Sequence, residues 1–451
     1  MDTNILLTEK TSKLFMQYST PAIISMVING MQSMIDGMFV GNILGSNGMA
    51  SVTLASPFMQ LIIGLSMIVS IGAQSYMGLK LGEGNKEKAE NGFKTSVIFI
   101  VVVGFMITIL GFVFSKNIAL ALGADEVLLG YVSTYIKMIS IFAVPMALMF
   151  LFGFTGRILE KPELYFKGSI LSLIVNIVLN YVLIAKLNLG IQGAAIATGM
   201  SYSAAFLVVV WPVLKKDSVV SLLKGKLDKE TIMPILYNGS SEGVNSIATA
   251  TAAFLFNLSF MKIAGADGVA AFTAINYIVN FGTLVMFGIS DGIGPIVSYN
   301  YGNKRFDRVS EIMQLSSKTI IGIGTTIFIV LFFFGSKLIT IFIQDNATVL
   351  NMAIVGSKIY AVAFFVNGFN IVNSGYFTFI GNAKYSVIVA ASRGLVFIVV
   401  GIFILPMIFG TNGIWMTVPF AEIITFMIAS VLMKKSNKKD KIQNLKVETS
   451  M

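Results

Sequence analysis

The sequence predicts an all-α integral membrane protein, with twelve transmembrane helices in two pseudo-symmetric six-helix bundles. Of its 451 residues, 55% are hydrophobic and only 12% charged, with a mean hydropathy of +0.83, whereas soluble domains carry about a quarter charged residues. Charge-free apolar runs such as Val97 to Phe114 and Leu395 to Phe409 recur along the chain, and roughly 20 such residues cross a hydrocarbon core of about 30 Å. Motifs of the first half also return in the second. The ten-residue apolar/polar alternation of a membrane barrel is absent.

The first bundle has helices near 14–41, 53–79, 94–115, 128–153, 165–185 and 191–214. The opening segment, Met1 to Lys13, is polar and carries no cleavable apolar leader. The first helix ends on Asp36-Gly37-Met38-Phe39-Val40-Gly41, and the second runs into the basic loop around Gly84-Asn85-Lys86. The third and fourth meet at a short connection holding Lys116. The fourth and fifth are joined by the turn Glu160-Lys161-Pro162, and Gly193 to Thr198 opens the sixth. The second bundle repeats this with helices near 234–262, 271–300, 315–335, 350–376, 386–409 and 413–433. Ser75 to Ala89 answers Ile293 to Arg308, and Ser115-Lys116 answers Ser336-Lys337. Six is an even number, so the halves are parallel repeats about an axis normal to the membrane, as in transporters that rock two bundles about a central site. The domain division is 1–214, a polar linker and hinge at 215–231, a second bundle at 232–435, and a basic tail at 436–451.

Lys and Arg fall in alternate connections: Lys80 to Lys94, Arg157 to Lys167, Lys215 to Lys229, and Lys304 to Arg308. The intervening loops are nearly bare, so the positive-inside rule places the rich loops and both termini in the cytoplasm of a cell-membrane protein. The formal charge of +10 is thereby topological, and nucleic acid is not an expected partner. With no cysteine and no histidine, disulfides, thiolate nucleophiles and imidazole ligands are excluded. No enzyme, resident cofactor or metal is expected beyond a coupling cation, and no GxxxxGK phosphate loop is present. The chain is expected to act as a monomer among membrane lipids.

Intramembrane polar groups are costly and are functional candidates by default. At about 1.5 Å per residue, Asp36 lies roughly 22 Å above the cytoplasmic face, level with Asn176 and Asn180 on the fifth helix and Thr198 on the sixth. Asn176 and Asn180 are four apart and share a face. Ringed by these oxygens, Asp36 suits a proton, a sodium ion, or a charge-dependent switch of the first helix; the plainer alternative is a structural Asp that ties helices together. A second cluster comprises Glu242, Asp291 and Arg393 at about 10 to 13 Å, with Glu422 nearer the midplane. Equal depth permits Arg393 to neutralise Glu242 or Asp291. Asn367, Asn370 and Asn373 form a stripe three residues apart, and Asn276 and Asn280 a second one, each facing a cavity or another helix. The 25 Met and 36 Phe suit an adaptable pocket for flat cations, although most of them must face lipid or fill the bundle.

These ordered motifs resemble, over essentially the whole chain, the multidrug and toxic compound extrusion family of bacterial type. The resemblance rests on the Asp36 to Gly41 motif, the GEGNKEKA loop, the turn at Glu160 to Pro162, the segment from Gly193 to Thr198, and the segment from Pro295 to Gly302. It implies a V-shaped pair of lobes that exports small organic cations, drugs and dyes, in exchange for protons or sodium. It also maps the family's cation site onto Asp36, Asn176, Asn180 and Thr198, with Asn180 standing where a second carboxylate is common. Related transporters use a Glu on the seventh helix, a role that would fall to Glu242. A flippase for a lipid-linked oligosaccharide would want a cavity rich in Arg and Lys, whereas Arg393 is the one Arg that the predicted spans hold. A receptor or intramembrane enzyme would want extracellular surface or a catalytic set, and neither is visible.

Overall fold

A computed structural model of the chain describes residues 4–215, 217–340 and 346–448, with side chains described as far as residue 438. Lys216 of the linker and the tail side chains beyond 438 lie outside the described residues. Among these residues every regular element is helical. The helices Thr11–Gly82 and Lys229–Gly302 run 72 and 74 residues, and a straight helix of that length would reach about 110 Å, far more than a bilayer is thick. Each instead reverses at one glycine, Gly45 (φ 71°, ψ −163°) and Gly265 (φ 63°, ψ −156°). Only a residue without Cβ adopts that conformation readily, so each long helix makes two crossings joined by almost no loop.

Among the described residues eight helices are long and apolar enough to span a membrane, two of them doubled at these glycines, and two bent pairs add one crossing each, giving twelve. The bent pairs are Leu129–Ser140 with Ala143–Ile158 and Ala347–Ala361 with Phe364–Phe379, the fourth and tenth crossings. Side chains such as Phe105, Ile109 and Met407 are 56%, 59% and 85% exposed, an outer surface that lipid would cover. The helices overrun the predicted spans by several residues at the basic-loop end. The fourth continues to Ile158 rather than stopping near 153.

The packing separates into three cores. One joins both lobes and includes Leu14, Ile71, Phe152, Tyr165, Ile293 and Phe377. The other two are private: Val40, Phe58, Ile136 and Ile191 in the first lobe, and Phe260, Phe272, Ile402 and Trp415 in the second. The lobes are thus welded at the end that carries the basic loops and diverge towards the other. At the weld, backbone meets backbone. A Cβ on Gly72 would overlap the Ile235 carbonyl, and one on Gly239 the Ile68 carbonyl. Gly82 against Tyr299 and Gly302 against Leu79 repeat the device in both directions across the pseudo-twofold axis. Hydrogen bonds cross the same seam: Ser75 Oγ donates to the Thr378 carbonyl at 2.7 Å and Asn303 Nδ2 to the Gly82 carbonyl at 3.0 Å.

The segment ahead of the first crossing straps this end. The Ile5 N–H donates to Glu160 of the first lobe at 3.1 Å, while Asn300 and Arg308 of the second lobe donate to the Leu6 carbonyl at 2.9 and 3.3 Å. Leu6 is fully buried between them. The linker is not a free hinge over its whole length. Lys94 Nζ donates to the Leu222 carbonyl at 2.7 Å, and the Lys226 N–H to Asn91 at 2.7 Å, binding the linker to the third crossing.

Candidate functional site

Asp36 sits late in the first crossing, and the fifth and sixth crossings bring three donors to its carboxylate. Asn176 Nδ2 and Asn180 Nδ2 donate to Oδ1 at 2.8 and 2.6 Å, and Thr198 Oγ1 donates to Oδ2 at 3.2 Å. The fifth crossing changes from α to π geometry at Asn180 and stays so to Lys186. Such wide turns reset which side chains face inward and recur at functional sites. Among the described residues Asp36 has no cationic partner, so its neighbours are neutral hydrogen-bonding groups. One turn below, Gln32 donates to Ser201 Oγ at 3.1 Å and accepts from Ser172 Oγ at 3.0 Å, extending the polar seam.

Asp36 and Thr198 open on a cavity of about 570 Å³, walled by Tyr135, Tyr165 and Tyr202 on one side and by Asn280 and Leu284 of the other lobe on the opposite side. Its volume and aromatic, amide-bearing wall suit a drug-sized molecule. Asn280 also lines a second cavity of about 250 Å³ inside the second lobe, together with Asn276, Asn367, Arg393 and Glu422. Asn276 and Asn280 are therefore cavity groups.

Four sequence expectations need correction. Arg393 does not neutralise Glu242 or Asp291. Its Nε donates to Glu422 Oε1 at 2.8 Å. Depth along a helix cannot say which neighbour a side chain meets, and Arg393 lies in a π turn, Ser392–Val396, beside the twelfth crossing. Asp291 is matched by Arg157, whose Nη1 lies 3.8 Å from Oδ2 and donates to the Asp291 carbonyl at 3.2 Å. Arg157 was expected in a basic loop, but the longer fourth helix carries it inward, where it is 1% exposed and lies against the rings of Phe154 and Tyr165 at 4.4 and 5.2 Å. It is a second intramembrane Arg that the predicted spans omitted. Finally, of the three stripe residues on the tenth crossing, Asn367 lines the second cavity and the other two do not. Asn367 and Asn370 are spent on Glu422, at 2.6 and 2.7 Å, and half-buried Asn373 lines neither large cavity. Glu242 and Asp291 do share a small enclosed cavity with Arg393, Ser290 and Thr378.

The sequence reading also missed Gln32 and the three tyrosines. Gln32 had a legible signal, standing four residues before Asp36 and so on the same helix face.

Comparison with known proteins places this geometry in context. A family model described as MatE matches residues 21–182 and 243–403, one stretch in each lobe. The chain is 26% identical over 428 residues to the multidrug export protein MepA of Staphylococcus saprophyticus, covering 94% of both chains. It is also 26% identical over 427 residues to MepA of Staphylococcus aureus strain NCTC 8325, covering 93% of both. Among solved structures, one described as the outward-facing conformation of a multidrug resistance MATE family transporter superposes with a TM-score of 0.91 at 21% identity, over 98% of this chain and 99% of that one. A MATE in the straight conformation gives 0.91 at 22% identity with the same coverage. The matched model spans most of both lobes, and the chain belongs to the MatE family of multi-pass membrane transporters.

Proposed function

We propose that the chain is a secondary active antiporter that exports cationic amphiphilic compounds in exchange for protons or sodium ions by alternating access. The carrying observation is Asp36, a carboxylate at membrane depth in the wall of the largest described cavity, held by three neutral donors and, among the described residues, by no cationic side chain. An unneutralised acid in that setting is costly unless a cation visits it. An inward-moving proton or sodium ion and an outward-moving organic cation can compete for it. Rotating the two amides would offer a sodium ion carbonyl oxygens beside the Asp36 and Thr198 oxygens, whereas a proton needs only the carboxylate. The names of the staphylococcal relatives favour drugs as cargo. The alternating basic loops put both termini and the welded end in the cytoplasm, so the splayed end opens outward. The paired Arg157 lines neither large cavity, which disfavours the flippase reading. Uptake of ethidium into inside-out vesicles, driven in turn by a proton and a sodium gradient, tests the proposal. Transport under one gradient is the expected result, and none under either would refute it.

Alternating access requires the glycine weld to part. Overpacking typically costs about 1–3 kcal/mol, so Gly239→Val, which sets two methyls against the Ile68 backbone, is expected to shift the lobes towards separation by about 5- to 150-fold. The chain has no native cysteine. Maleimide labelling of a Ser75→Cys reporter, whose position is fully buried in the weld, should accelerate accordingly. An unchanged labelling rate would show that the weld does not gate this end.

A further inference from the structure

A separate cavity of about 390 Å³ lies at the basic-loop end of the second lobe, where four crossings meet. Tyr237 of the seventh crossing, Tyr301 of the eighth, Lys384 at the start of the eleventh and Lys435 near the end of the twelfth all line it. The two lysines are its charged lining groups, and no acid faces them from its wall. Among the described residues neither lysine makes a hydrogen bond or an ion pair.

Ser436 points independently to a ligand. It is 7% exposed and lines the same cavity, yet its hydroxyl makes no hydrogen bond among the described residues and is not a sealed atom. A buried hydroxyl without a partner is costly, and a ligand oxygen would relieve that cost. The eleventh crossing also begins in this wall, with Ala383 and Lys384 following the N-cap Asn382. The first N–H groups of a helix lack intrahelical acceptors and favour an anion. Two free ammonium groups, an unused hydroxyl and a helix start together match the charged oxygens of a phosphate.

The depth of the cavity selects a lipid phosphate over a soluble one. Counted from Thr411 at about 1.5 Å per residue, Lys435 lies about 36 Å along the twelfth helix, just beyond a hydrocarbon core of about 30 Å. On the turns before it, Met427 and Val431 are 60% and 53% exposed, an apolar strip for acyl chains. Tyr237 is 59% exposed, and tyrosine rings settle at headgroup depth.

We propose that this cavity holds the phosphate of an anionic phospholipid, between Lys384 and Lys435, in the leaflet on the basic-loop side. The bound lipid ties together the ends of four crossings of the second lobe. This goes beyond the export reading and does not rest on it.

The test is fluorescence anisotropy on the purified full chain in detergent, with phosphatidylglycerol and phosphatidylcholine each labelled on one acyl tail. The wild type is expected to bind phosphatidylglycerol about tenfold more tightly or better. Lys384→Gln combined with Lys435→Gln should weaken phosphatidylglycerol by about tenfold or more and leave phosphatidylcholine within about twofold. Both lysines are exposed, so the variant keeps the fold. Lys434→Gln combined with Lys438→Gln removes the same charge from exposed neighbours outside the cavity, and should change phosphatidylglycerol binding by less than about twofold. Equal loss in the two double variants shows a general attraction to the basic surface and overturns the proposal. So does equal binding of the two lipids by the wild type, or unchanged binding after the cavity lysines are replaced. Inorganic phosphate, compared with chloride at equal ionic strength, is expected not to displace the lipid; displacement assigns the site to soluble phosphate and overturns the lipid reading.

Discussion

Asp36→Asn is expected to reduce gradient-driven export to the level of vesicles lacking the protein, while the purified chain keeps its detergent-stable fold. The substitution preserves shape and one acceptor oxygen but removes the titratable charge. One of three incoming hydrogen bonds is lost, worth about 1 kcal/mol, too little to unfold the lobe. Downhill equilibration of a substrate should survive, because the cavity wall is otherwise intact, so the variant separates coupling from permeation. Export that still follows the gradient would move the coupling role to Glu242, the other membrane-depth acid without an ion-pair partner among the described residues.

Arg157→Leu is expected to give the largest loss of stability of any single change discussed. Arg157 on the fourth crossing and Asp291 on the eighth are 1% and 5% exposed, and they join the two lobes. Removing one partner of a buried pair leaves the other charge stranded, at a cost of about 3–5 kcal/mol. Replacing both with apolar residues of similar size is often neutral, so Arg157→Leu with Asp291→Leu should recover most of the unfolding midpoint lost by the single change. Midpoints of the single and double variants in detergent decide the matter. If the double variant is no better than the single, the two residues do not act as a unit, and the loss belongs to the rings of Phe154 and Tyr165 that Arg157 packs against.

The contrast between these two sites indicates what the sequence could disclose. The crossings were legible because hydrocarbon thickness imposes a length and an apolar composition on each helix. The grouping of Asp36 with Asn176, Asn180 and Thr198 was legible because four polar residues on three helices fell at one depth and two of them shared a face. Arg157 was not, because a cation one turn beyond an apolar run reads equally well as a loop anchor. Only the extension of the fourth helix to Ile158 takes it inside. Arg393 was assigned the wrong partner for a different reason. Depth is a one-dimensional coordinate, and the π turn at Ser392–Val396 departs from the 3.6-residue phase on which any facing argument depends. Pairing between distant helices follows from how the bundles pack, which no local pattern encodes.

The backbone-to-backbone weld at Gly72, Gly82, Gly239 and Gly302 bears on energy conservation as well as on gating. An exchanger that runs on an ion gradient is useful only if it does not short-circuit that gradient between turnovers, and each charge that slips through at 100 mV dissipates about 2.3 kcal/mol. A leak would need a continuous file of water, and a bridging water needs room and polar partners. Where the main chains of two lobes touch with no side chain between them, there is space for neither. In the exchange cycle proposed above, the residue with the smallest side chain would act at this face as the insulator, and larger side chains there would open a leak.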